Sequence, residues 1–341
     1  MSTASPTDRS RRVRRRTAEA GFTFLEIVLV LSMTSMLAWL VERTFTTTSQ
    51  ADRHIAAVQH ATDKGQRLAY KLRELVSASR RLFGRDAIGA DYLSALEIRR
   101  IPAAPDARLP LIDPLGDLVP DEVDQRLTGN SLFFVRESDP AEVVVDPVAG
   151  TVRYIDTYRF IYVYPADTPT IVSQKLPVTP ARDLIVWRSE TYPNYMQIIG
   201  LPTADQREHA VKELVNRFHY QYAWDPSGNV NDSFFAMDTF GAISASAETT
   251  FTILEDMNVS NVGSLVYVNL QLCPSDITRE SYDRRAWMTR DNDWWPHGFE
   301  TKIVGGSGSR KVWMRLTVEA PSVGAQTVVF ASQLIASAHD L

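Results

Sequence analysis

The sequence predicts an α+β chain, a long N-terminal helix followed by a mostly antiparallel β domain, and three observations carry that prediction. Phe22 to Val41 reads FTFLEIVLVLSMTSMLAWLV, twenty residues with Glu26 as the single charge. Behind it, Ile55, Val58, Ala61, Leu68, Leu72, Leu75 and Val76 fall mostly at spacings of three, four and seven, which makes one apolar stripe along a helix. Further on, apolar residues alternate with polar ones at Phe218, Tyr220, Tyr222 and Trp224, at Val266, Val268, Leu270 and Leu272, and at Val312, Met314, Leu316 and Val318. Period two with one apolar face describes half-buried antiparallel strands.

The apolar run is long enough to matter. As a helix rising about 1.5 Å per residue it spans roughly 30 Å, the thickness of a bilayer's hydrocarbon. Charge separates where it begins. Residues 1–21 carry Arg9, Arg11, Arg12, Arg14, Arg15 and Arg16 against Asp8 and Glu19, while the whole chain has a net charge of −5. Arginines before the run and only Arg43 just after it place residue 1 on the cytoplasmic side and the bulk of the chain outside. The acidic balance argues against nucleic acid as a bulk electrostatic partner. Cys273 is the single cysteine, so neither an intrachain disulfide nor a multi-cysteine zinc site is available. A cleaved secretory signal fits poorly, because no small-residue cleavage site follows Val41. An ordinary signal anchor remains.

Glu26 is the residue a plain anchor does not explain. A carboxylate inside a membrane span is costly and usually has a partner, and no cation lies near it in the run. A partner from another chain would answer this. The stretch Gly21-Phe22-Thr23-Phe24-Leu25-Glu26, after a basic leader and before an apolar helix, resembles the signal of type IV prepilins and pseudopilins. The resemblance implies a pilin-like fold, a cut by prepilin peptidase between Gly21 and Phe22, and methylation of Phe22. Glu26 becomes the fifth residue of the mature chain and pairs with a neighbouring subunit's new amine. It implies a non-catalytic subunit with no cofactor. Its partners are other pilin or pseudopilin subunits, an inner-membrane assembly platform and the lipid bilayer. It also implies a domain in the periplasm and incorporation into a type IV pilus or a type II secretion pseudopilus. Residues 66–75 are similar to the same helix of J-type minor pseudopilins and W-type minor pilins. Major pilins often carry a proline near the end of the span; here none lies between Pro6 and Pro102.

The organisation expected is therefore a leader at 1–21, a transmembrane helix at 22–41, a stem helix at 42–83 and a β-rich head at 84–341. Asp63-Lys64-Gly65 is expected to bend the stem. Five prolines between 101 and 122 mark a long surface loop. Further strands are expected at 131–136, 142–146, 152–164, 184–188, 195–199, 249–254 and 326–335. A helix is expected at 204–215 with Thr203 as its N-cap.

Catalytic patterns are missing from the sequence. The histidines are not spaced as a helical zinc site, and no phosphate loop or nucleophile elbow occurs. Gly305 to Ser309 reads as a hairpin connection. Residues 225–232 alternate oxygen-bearing side chains as a calcium loop does, but Ala236 stands where such a loop needs Glu, and turn chemistry explains the same residues. Trp294 and Trp295, in a polar loop ending at Pro296, read either as caps on the head's core or as a contact site for another subunit. Tyr154, Tyr158, Phe160, Tyr162 and Tyr164 read as the inner face of a sheet, with base or sugar stacking as the alternative. The rival functions are a DNA-uptake or adhesion pilin, a signal-anchored periplasmic enzyme and a ligand-binding module.

Overall fold

The computed structural model describes residues 23–96, 103, 105, 107–118, 127–166, 182–228, 233–237, 266–272, 298–321 and 327–339. The chain divides into two units, residues 1–52 and 53–341. Helix α1, Phe24–Ser77, begins in the first unit and its later turns belong to the second. Its 54 residues are about 81 Å long at helical rise.

The hydroxyl residues that weaken helical propensity in α1 bond back to the helix itself. Thr34 Oγ1 donates to Val30 O (2.8 Å), and Ser35 Oγ to Leu31 O (2.8 Å). Thr44, Thr46, Thr47 and Thr48 do the same at 2.7–2.9 Å. Each polar tip thus finds a partner without water.

In the second unit, α1 buries Ala61, Gly65, Leu68, Ala69, Leu72, Leu75 and Val76. The stripe is covered only from Ala61 onward; Ile55 and Val58, counted in it from the sequence, are 53% and 37% exposed. The helix also runs unbroken through Asp63-Lys64-Gly65. Gly65 serves close approach there, since a Cβ at that position would lie 2.3 Å from Cδ1 of Phe330. The helix stops at Ser77, short of the expected 83. Ser79–Phe83 is strand β1, with Leu82 and Phe83 buried in two different cores. Sheet pairing captures these residues and overrides their helical pattern.

After β1 come helix α2, Ala87–Ala95, and the two-residue strand β2, Ile112–Asp113, neither foreseen from the sequence. Asp86 caps α2 by accepting from Gly89 N at 2.7 Å. Strands β3 (Leu132–Asp146), β4 (Thr151–Ala166) and β5 (Arg182–Pro193) follow. They merge the expected segments at 131–136 and 142–146 and lengthen those at 152–164 and 184–188.

Residues 195–199 form helix α3, Tyr195–Ile199, where a strand was expected. Asn194 caps it, and Gln197 holds Asp156 through both ends of its amide at 2.7 Å. Side-chain capping thus wins over β-propensity. Helix α4, Ala204–Asn216, is capped by Thr203 as expected. The alternation at 217–224 yields only the short strand β6, Tyr222–Trp224. Arg217 ends α4, and His219 takes a left-handed φ of 59° that breaks any strand there. Strand β7 is Phe234–Ala236, and β8, Val266–Leu272, matches its pattern. Strands β9 (Phe299–Val304), β10 (Arg310–Pro321) and β11 (Thr327–Ala338) close the described chain. The β9–β10 link carries positive φ at Gly305 (103°) and Gly308 (84°), as a glycine hairpin requires. The expected strand at 249–254 and Cys273 lie outside the described residues.

The main sheet runs β1-β3-β4-β5-β8-β10-β9-β2, with β11 on the other side of β10. Pairing is antiparallel except between β2 and β9. β6 and β7 form a separate pair.

Through β10 and the middle of β3, β4 and β5 both faces of the sheet are covered, which corrects the half-buried expectation for 312–318, while β11 keeps an exposed face. One face packs Leu132, Phe134, Ile161, Val163 and Val186 against Leu68, Leu72, Leu75 and Val76 of α1. The opposite face is an aromatic core of Phe83, Tyr92, Phe133, Phe160, Tyr164 and Trp187. In β10 the residues between the apolar ones, Trp313, Arg315 and Thr317, are buried as well. A third core joins β3 to α3, α4 and β7.

Candidate functional site

The features that carry the functional expectation lie at the start of α1. The large apolar side chains from Phe24 to Val41 are 47% to 82% exposed, all round the helix. The segment is long and apolar enough to cross a membrane. Near its far end the Arg43 guanidinium lies 5.1 Å from the Trp39 ring centroid. That pairing of cation and aromatic suits a membrane–water boundary.

Glu26 has a partner after all, and it is local. Thr23 donates to Glu26 Oε2 from its backbone N–H (2.9 Å) and from its hydroxyl (3.0 Å), while Glu26 N–H donates to Thr23 Oγ1 (3.4 Å). This is a capping box, and it satisfies donors that a helix start otherwise leaves open. The sequence holds the signal for it, Thr-x-x-Glu ahead of an apolar run. Both Thr23 donors reach the same carboxylate oxygen, and no hydrogen bond reaches Oε1 among the described residues. Gly21, Phe22, Trp294 and Trp295 lie outside the described residues.

In the head the aromatic strand is packed. Tyr158 and Phe160 meet Trp224 edge-on at 5.1 and 5.2 Å, and Phe160 lies 5.5 Å from Phe234. Burial pushes the Tyr162 hydroxyl up to about 12. These rings form the sheet's inner face, whereas Tyr154, beyond the covered part, is 66% exposed.

The loop at 225–228 makes a turn. Asp225 Oδ1 accepts from Ser227 N–H (2.9 Å) and hydroxyl (2.7 Å), and the carbonyls of Pro226 and Gly228 take hydrogen bonds from Arg81. The remaining alternate positions of the calcium pattern, 229–232, lie outside the described residues. Among the described residues no group of three or more His, Cys, Asp or Glu is placed to hold a metal.

One buried charge group stands out. Glu300 on β9 sits directly opposite Arg315 on β10. Burial pushes its carboxyl up to about 8, against the opposing pull of Arg315, Arg108 and Lys302. The register sets the two residues opposite each other, and Glu300 Oε2 is buried without a hydrogen-bond partner.

No protein-family model, no characterised protein and no solved structure matches this chain.

Proposed function

We propose that the chain is a non-catalytic minor pilin or pseudopilin subunit of a type IV pilus or type II secretion pseudopilus. On this reading prepilin peptidase removes residues 1–21 and methylates Phe22. Phe22–Val41 first anchors the precursor in the inner membrane, with residue 1 cytoplasmic and the head periplasmic. An assembly platform then draws the subunit into a filament.

The observation that carries the reading is the exposed apolar surface all round Phe24–Val41 with one carboxylate at its start. Such a surface needs lipid or sister helices to cover it. The unbonded Oε1 of Glu26 supports the pairing step, because a neighbour's amine can bind there without opening the capping box.

A plain signal anchor is the second reading. The capping box favours it, since Thr23 gives even a solitary anchor a use for Glu26.

Mass spectrometry of the chain extracted from membranes separates the two. The proposal expects a mature N-terminus at methylated Phe22, and retention of the leader in Gly21→Ala. A native protein still carrying Met1, or an unaltered cut in the variant, removes the filament reading and leaves the anchor.

A further inference from the structure

Three strands of the sheet end their apolar face in arginine. On β3 the face toward α1 runs Leu132, Phe134, Arg136; on β4, read backwards, Val163, Ile161, Arg159; on β5, Leu184, Val186, Arg188. Arg136 is the direct cross-strand partner of Arg159, and Arg188 is the partner of Ile161 in the next pair. Residues opposite one another across an antiparallel pair stand about 5 Å apart at Cβ, and like charges there repel. The three arginines therefore sit side by side where the apolar core stops.

Two carboxylates, Glu137 and Asp139, line the same groove as the arginines. Among the described residues none of the three makes an ion pair with a carboxylate. Glu137 is taken by Arg80, whose Nε donates to it at 2.6 Å. Arg159 Nε donates to the Thr191 hydroxyl at 2.6 Å. The buried Nε of Arg188 has no hydrogen-bond partner. Burial, and after it the charges of Arg136 and Arg159, pull the Arg188 guanidinium below the usual arginine range, against Glu74.

The surroundings form a concavity. All three arginines line a groove of about 580 Å³, within the size range of small-molecule sites. Phe218 and Tyr220 form one wall, their rings stacked at 5.6 Å. The left-handed turn at His219 sets that wall, with Tyr220 N–H bonded to Leu214 O at 3.1 Å. Two β-bulges border the groove, between Ser138 and Ala141 on β3 and between Arg188 and Thr191 on β5. Bulges gather beside binding sites because they re-aim side chains.

We infer that this groove binds a small organic molecule through a doubly charged phosphate group held by Arg136, Arg159 and Arg188, with its apolar part against Phe218 and Tyr220. Guanidinium forks match phosphate oxygens in geometry and charge, and a dianion offsets two of the three positive charges where a carboxylate offsets one. The site stands whether or not the chain enters a filament.

The test titrates the full chain in nonionic detergent with phenyl phosphate, following heat and melting temperature, against sodium chloride at equal ionic strength. Saturable binding is expected, at least fivefold weaker in Arg188→Gln and in Arg159→Gln. The second variant changes an exposed side chain and leaves the core alone. Arg153→Gln, exposed and outside the groove, is expected to bind as the native chain does. Inorganic phosphate is expected to bind more weakly than phenyl phosphate, through the same arginines. The site is overturned if chloride reproduces the effect, if both variants keep full affinity, or if benzoate binds as tightly as phenyl phosphate.

Discussion

Thr23 and Glu26 hold each other at the first turn of α1, with one carboxylate oxygen taking both Thr23 donors and the other taking none. Two jobs are thereby divided over one side chain. The capping job needs an acceptor at residue 26, whereas the pairing job proposed for a filament needs a negative charge. Glu26→Gln keeps the first and removes the second. In detergent, amide exchange over residues 23–30 is expected to be unchanged in Glu26→Gln and several-fold faster in Thr23→Val. Recovery in sheared filaments is expected to fall for Glu26→Gln. Equal recovery of this variant and the native chain counts against the charge-pairing role.

The later turns of α1 divide at Ala61 into an open and a covered part. Leu72 is fully buried against the sheet, so Leu72→Ala is expected to cost about 2–5 kcal/mol through lost burial and the cavity left behind. Ile55→Ala, on the same sequence stripe but half exposed, is expected to change stability by less than about 0.5 kcal/mol. Thermal melts of the two variants in one detergent check the contrast. Equal losses would mean the stripe is covered along its whole length.

Gly65 faces the Phe330 ring so closely that an added methyl has no room. Gly65→Ala is expected to destabilise by about 1–3 kcal/mol, the usual result of overpacking. In a Phe330→Ala background the same change is expected to stabilise by up to about 1 kcal/mol, because the helix then gains alanine's propensity without the clash. A double-mutant cycle reads the reversal of sign directly, and additive effects would sink it.

Glu300 gives stability a pH dependence of definite sign. Its folded-state carboxyl, near 8, lies above its ordinary value of 4.5, so between those pH values the folded state holds a proton that the unfolded chain has released. Its contribution to stability therefore falls as pH rises, by at most about 1.4 kcal/mol per pH unit. Melting temperatures from pH 5 to 7.5 are expected to decline less steeply in Glu300→Gln than in the native chain. Identical slopes would assign the decline to other groups.

The sequence by itself determined what depends on near neighbours along the chain. The apolar run, the stripe of Leu68, Leu72, Leu75 and Val76, the Thr203 cap and the alternation in β8 and β10 are all local patterns, and each matched the element that forms. The Thr23–Glu26 box was equally local and needed only to be read as one. Tertiary structure decided the rest, because the deciding partner was distant. Ser79–Phe83 became a strand once β3 offered it hydrogen bonds. Residues 195–199 turned helical once Gln197 found Asp156 across 41 positions. The three arginines carry no motif along the chain. They meet only because the register of β3, β4 and β5 sets residues 136, 159 and 188 side by side, and register follows from how whole strands bury their faces.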